Sequence, residues 1–262
     1  MRLFTVDSFT KVPFRGNPAA VCVLEKPLPD AMYLDIAQEM NLSETAFVYE
    51  ENGSYQLRWF TPTLEIDLCG HATLATAKIL FEKFHVTKDV LEFNTKSGVL
   101  KVKKSGDRLE MDFPSGKTQS EDPNDALLEV FLGEKPIAIQ VDNDWCLVEV
   151  GHSNSIVNLK PQFELLLKHP KKKFIITAKS SDKKYDFISR MFAPDFGIDE
   201  DPVTGSAHCY LANYWSEKLS KTILVGYQAS KRGGEMTCEI SGNDRVFLRG
   251  DCVIMAELLV EW

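Results

Sequence analysis

The sequence has no apolar run of the roughly 18 residues that a membrane-spanning helix needs, so no membrane partner is expected. It has no excess of basic charge. Thirty Lys and Arg stand against 38 Asp and Glu, for a net charge of −8, which argues against a nucleic-acid surface. Its only basic run is Lys171-Lys172-Lys173, after a proline and before an apolar stretch, where a solvated turn is expected. Its six cysteines form no C-x-x-C pair. Six reduced thiols, most of them buried, are the expectation for such a chain. No metal is expected, because metal-ligand spacings are missing. Low-complexity tracts are missing too, and no leader is expected, because Met1-Arg2-Leu3-Phe4-Thr5-Val6-Asp7 has no long apolar region and no cleavage signature. A cytoplasmic location is the expectation.

What is present is a repeat. Leu68-Cys69-Gly70-His71-Ala72-Thr73 returns as Val203-Thr204-Gly205-Ser206-Ala207-His208. In each copy a small residue precedes the glycine, and a mostly apolar helix pattern follows. Arg58-Trp59-Phe60-Thr61-Pro62 returns as Arg190-Met191-Phe192-Ala193-Pro194 (190 − 58 = 132), and Gly70 returns as Gly205 (205 − 70 = 135). A period this long is no solenoid. It predicts two similar α+β halves, residues 1–117 and 118–262. The linker is expected near 114–124, where no large apolar residue occurs. The helices after Gly70 and Gly205 are apolar on nearly every side, so each is expected to be enclosed by strands. A cleft between two such halves is a preferred place for a small molecule.

A glycine at a helix start lets the backbone approach a ligand. The first-turn amides carry partial positive charge and lack intrahelical partners. Two such starts predict an anion site, with two ordinary helix starts as the alternative. His71 follows its glycine directly and is the stronger donor candidate, while His208 lies two residues further in. The repeat also sets Thr45-Ala46 against Thr177-Ala178, which matches Glu44 to Ile176. Glu44 is therefore a carboxylate that the duplication did not impose. Burial there would raise its pKa and suit it to proton transfer; a capping glutamate is the other reading. Asp199-Glu200-Asp201 and Asp67 precede the two glycines, as ligand-facing or solvated acids. Cys69 at a helix start is a candidate thiolate, but its counterpart Thr204 is no comparable base. Cys69 and His71, two residues apart, are poorly placed as a nucleophile–base pair.

Four motifs in order carry a resemblance along the whole chain: Asp7-Ser8-Phe9 with Gly16-Asn17-Pro18-Ala19-Ala20-Val21, Leu42-Ser43-Glu44-Thr45-Ala46-Phe47-Val48, Cys69-Gly70-His71-Ala72-Thr73-Leu74-Ala75, and Asp199-Glu200-Asp201-Pro202-Val203-Thr204-Gly205-Ser206-Ala207. On them the chain resembles the PhzF-like family, named for a phenazine-biosynthesis isomerase and similar in fold to diaminopimelate epimerase. The resemblance implies two pseudo-symmetric domains, each a curled mixed sheet around a central helix. It implies Glu44 as the proton-shuttling acid/base, with His71 and Asp201 as substrate-binding groups. Gly70, Gly205 and Ser206 become donors at the helix starts. No metal, nucleotide or flavin is implied, and a homodimer is. The expected function is a cofactor-independent isomerase acting on a small anionic carboxylate. The alternatives are an amino-acid-type epimerase or racemase with Glu44 and Cys69 as its bases, and a protein-interaction role with a vestigial site.

Overall fold

The computed structural model describes residues 1–242 and 244–261. Its chain divides into two units, Met1–Asp112 with the stretch from Arg249 onward, and Phe113–Leu248. In the first unit the elements are β1 (Arg2–Ser8), β2 (Asn17–Leu24), α1 (Asp30–Met40), β3 (Glu44–Glu51), β4 (Ser54–Phe60), β5 (Glu65–Ile66), α2 (Gly70–Lys83), β6 (Val90–Thr95), β7 (Gly98–Ser105) and β8 (Arg108–Pro114). The second unit carries β9 (Gln119–Glu121), α3 (Ala126–Leu132), β10 (Ala138–Asp142), β11 (Trp145–Glu149), α4 (Ser153–Asn158), α5 (Phe163–Leu166), β12 (Lys173–Lys179), β13 (Phe187–Ala193), β14 (Ile198–Asp201), α6 (Gly205–Leu219), β15 (Ile223–Gln228), β16 (Gly234–Ser241) and β17 (Arg245–Gly250). The last strand, β18 (Cys252–Leu259), returns to pair antiparallel with β1.

The fold is α+β, and the strands of the two units repeat one plan. In the first unit the order β18-β1-β2-β3-β4-β6-β7 holds, with β2/β3 and β4/β6 parallel and the remaining pairs antiparallel. In the second, β9-β10-β11-β12-β13-β15-β16 has the same directions, with β11/β12 and β13/β15 parallel. Parallel neighbours need crossovers, and the long crossovers are α2 and α6. Ten of the fourteen residues of α2 are buried, and it packs on β1, β2, β3, β7 and β18. A helix apolar on every side can lose its surface only in such an enclosure. Seven of the fifteen residues of α6 are buried, and its main strand contacts are β15 and β16. The enclosure expected for both helices is therefore more complete in the first unit.

One matched pair from the sequence does not survive the strand register. Phe47 on β3 stands opposite Arg58, and Ile176 on β12 stands opposite Arg190. The two arginines are equivalent, because each makes a two-pronged ion pair. Arg58 binds Glu65 at 2.8 and 3.0 Å, and Arg190 binds Glu200 at 2.7 and 2.9 Å. Ile176 is thus the counterpart of Phe47 (176 − 47 = 129), not of Glu44. Three residues back, Lys173 takes the place of Glu44. The two placements differ by an odd number, and an odd slip turns a side chain to the other face of the sheet. Phe47 packs in the cluster with Tyr33 and Ala37 of α1, and Ile176 packs with Leu128, Ile156 and Leu166 of α3, α4 and α5. Glu44 points instead toward α2. The inference that the second half has no matching carboxylate stands, on Lys173.

Local differences follow from short-range chemistry. The short apolar run at Ile156 and Val157 falls in the helix α4, although such a run cannot by itself separate strand from helix. The linker at 114–124 contains β9, which pairs with β10. Asp30 does not cap α1. Its carboxylate accepts from Arg58 Nη1 at 3.0 Å, and Pro29 holds the cap position. Asp125 does cap its helix: in α3 it accepts from the amides of Leu127 and Leu128, and the helix ends at Gly133 at φ 71°.

Candidate active site

The first unit brings Glu44, Cys69 and His71 together from two elements. Glu44 is the first residue of β3 and stands beside Ala19 of β2 in the parallel ladder. That ladder starts at Asn17 because Gly16 closes the preceding loop. Gly16 has φ +68°, and a Cβ there would lie 2.1 Å from the Ser8 carbonyl oxygen, so only glycine fits. Cys69 is the extended residue that begins α2, at φ −143°. His71 sits in the first turn, where Ser8 Oγ donates to the His71 carbonyl at 2.8 Å. Thr73 Oγ1 donates to the Cys69 carbonyl at 2.6 Å. The first bond holds the helix start against β1, and the second closes its first turn.

The imidazole lies between the other two groups. Glu44 Oε2 is 3.2 Å from His71 Nε2, and Cys69 Sγ is 3.5 Å from His71 Nδ1. All three residues are buried. Burial pushes the His71 pKa down to about 3, against a hydrogen bond to the Pro18 carbonyl that raises it. The ring is therefore neutral at physiological pH, and its contact with Glu44 is a carboxyl against a neutral imidazole rather than an ion pair. The two facing atoms are within reach but not in hydrogen-bond alignment, a spacing that ligand binding can tighten. A neutral ring has one N–H. The Pro18 carbonyl accepts that N–H, which leaves the ring one nitrogen with a free lone pair as an acceptor. The same three side chains offer ligand atoms within 4.8 Å of one another, close enough to share a metal ion.

The second unit builds its helix start differently. Thr204 begins α6 in extended conformation, at φ −113°. Its hydroxyl donates to Asp201 Oδ2 at 2.5 Å, and its amide donates to Gln228 Oε1 at 2.9 Å. Gln228 Nε2 donates to the Asp201 carbonyl at 2.7 Å. Gly205 is buried, Ser206 exposed and Asp201 half-buried. Asp201, Gly205 and Ser206 are thus gathered at one helix start, as Glu44, Gly70 and His71 are gathered at the other. Glu200 is taken by Arg190, while Asp199 and Asp67 are exposed. His208 is packed: its Nδ1 bonds the Thr204 carbonyl at 2.8 Å, and burial pushes its pKa down to about 4. The sequence reading missed Gln228, because a glutamine alone on a strand gives no signal. It also gave no separate role to Ser8, although Asp7-Ser8-Phe9 was in view.

The two neutral histidines predict an acid-sensitive fold. Below pH 6.5 each imidazole takes a proton in the unfolded chain but not in the folded one, until pH approaches about 4 for His208 and about 3 for His71. The unfolded state then binds more protons, so stability falls as pH falls. Each ring contributes up to about 1.4 kcal/mol per pH unit in that window. Urea unfolding of wild type and His208→Asn across that window should give a shallower pH slope for the variant. Equal slopes would mean that His208 is already charged in the fold.

Comparison with known proteins agrees with this architecture. A family model described as phenazine biosynthesis-like protein, PhzC-PhzF, matches residues 6–257. An uncharacterized isomerase of Halalkalibacterium halodurans is 46% identical over 261 residues, spanning 98% of each chain. A crystal structure of a PhzF-family protein from Enterococcus faecalis is 42% identical, with a TM-score of 0.93 over 98% of this chain and 97% of that one. A predicted epimerase of Pseudomonas aeruginosa, 18% identical, shares the fold at a TM-score of 0.75 over 99% of this chain and 98% of its own. With a family model over nearly its whole length and relatives of this identity, the chain belongs to the PhzC-PhzF, phenazine biosynthesis-like family and is an isomerase-type enzyme.

Proposed function

We propose that this enzyme isomerises a small anionic carboxylate by moving a proton, with Glu44 as acid/base and no bound cofactor. The observation that carries the reading is the buried Glu44 carboxyl 3.2 Å from a neutral imidazole at the start of α2. A proton on carbon beside a carboxylate is hard to remove because charge builds on the oxygens. The first-turn amides near Gly70 and His71 can meet that charge. Glu44 takes the proton from one carbon and returns it to another, so the reaction balances with no further reactant. Asp201, Gly205 and Ser206 are assigned to substrate binding at the second helix start.

A second reading has its own support. Cys69 lies on the opposite nitrogen of the same ring. An epimerase that removes a proton on one face and delivers one on the other could use Glu44 and Cys69 as its two groups. Which reading holds is a matter of product stereochemistry and of which variant loses activity.

Binding is tested first. Small mono- and dicarboxylic acids, screened by thermal shift, should include members that saturate and stabilise the fold. A ligand at 100 times its Kd contributes about 2.7 kcal/mol. The corresponding neutral amides should bind much more weakly. Amides that stabilise as well as the acids would overturn the anionic-substrate reading.

A further inference from the structure

We infer that Glu44, Cys69 and His71 form a site for one divalent cation of the zinc class, which blocks proton transfer by holding the groups that carry it. The three side chains offer a carboxylate oxygen, a sulfur and an imidazole nitrogen within 4.8 Å of one another. Zinc takes these three donor types, whereas magnesium and calcium require shells of oxygen. Tetrahedral zinc with bonds of about 2.0–2.3 Å spaces its ligand atoms roughly 3.3–3.8 Å apart. Through Nε2 the ring has one ligand already near that spacing, Glu44 at 3.2 Å, and through Nδ1 it has Cys69 at 3.5 Å, with the third ligand atom within 4.8 Å. Imidazole coordinates through one nitrogen, so the ion sits at one edge of the ring and a side-chain rotation brings in the third ligand.

Charge favours the arrangement. A carboxylate and a thiolate together cancel a dication, so the buried site holds no net charge and avoids the desolvation cost of an isolated ion. The positive end of α2 opposes a cation, but it also favours the thiolate form of Cys69. Binding releases the thiol proton to solvent as the metal–sulfur bond forms, with no change of oxidation state. The fourth position is left to water, as in open zinc sites. The inhibition rests on the Glu44 reading; the binding does not.

Cobalt(II) is the probe, because it accepts the same ligands and shows a strong thiolate-to-metal absorption when sulfur coordinates. Added to the full chain, it should bind one ion per chain, give that absorption, and lose it when zinc is added. Cys69→Ser should abolish the band, and Glu44→Gln should weaken binding by roughly tenfold or more. The other five cysteines are buried elsewhere, and among the described residues none joins such a cluster. Melting curves show whether each variant is folded, and His71→Asn serves if Cys69→Ser is not. Absence of the band in wild type, its persistence in Cys69→Ser or His71→Asn, or unchanged affinity in Glu44→Gln would overturn the site. Cobalt bound as expected with proton exchange unimpaired would overturn the inhibition, and with it the Glu44 reading, while the metal site stands.

Discussion

Glu44→Gln is expected to lower turnover by about 10²–10⁴-fold, the range typical of a positioned acid/base, while ligand binding and fold persist. Glutamine keeps the size of the side chain, so β3 keeps its packing beside Ala19, but the amide cannot take or return a proton. Cys69→Ala should cost much less, since the sulfur contacts the far nitrogen of His71. The assay is incorporation of solvent deuterium into a bound acid found in the carboxylate screen. The two variants then separate the two readings. If Glu44→Gln exchanges normally and Cys69→Ala does not, the proton belongs to the thiol and the epimerase reading takes over. If each loses activity to a similar degree, both groups act, as a two-base epimerase requires.

Trp215→Ala is expected to destabilise the fold by about 3–5 kcal/mol, the range for removing a buried aromatic. Trp215 is 2% exposed. Its ring lies parallel to Phe187 with centroids 6.1 Å apart, and its Nε1 donates to Thr177 Oγ1 at 3.0 Å. It ties α6 to β12 and β13, where His208 also packs against Phe187 at 5.8 Å between ring centroids. Trp215→Phe should cost considerably less, because most of the volume stays and Thr177 keeps its own bond to the Ile188 carbonyl at 2.8 Å. Urea unfolding measures both. A small loss in Trp215→Ala would mean that α6 is held by its β15 and β16 contacts alone.

Much of the site was legible because its motifs are local. A glycine at a helix start, with the residues on either side of it, is written in consecutive letters, and that is why Cys69, Gly70 and His71 and then Thr204, Gly205 and Ser206 could be named as a pair. Glu44 was found as well, but the matching that singled it out placed Ile176 opposite it, and the strands place Lys173 there. The Arg58–Glu65 and Arg190–Glu200 pairs fix the true register. Each pair joins neighbouring strands, and no short window of sequence announces which acid an arginine will hold. Glu200 was grouped with Asp199 and Asp201 for the same reason.

The sequence by itself determined the α+β class, the duplication, the apolar helices after both glycines and the residues at their starts. Those features depend on composition, periodicity and adjacency along the chain, which are read without knowing distances. Tertiary structure alone decided the rest. It set the strand register, and through its two-residue period the face on which each side chain lies. It placed the neutral His71 ring between Glu44 and Cys69, since burial and the Pro18 carbonyl come from strands and loops far apart in sequence. It recruited Gln228 to hold the Asp201–Thr204 turn across 24 residues of chain. A contact between distant residues is chosen by which surfaces the sheets bring together, and one-dimensional patterning does not carry that choice.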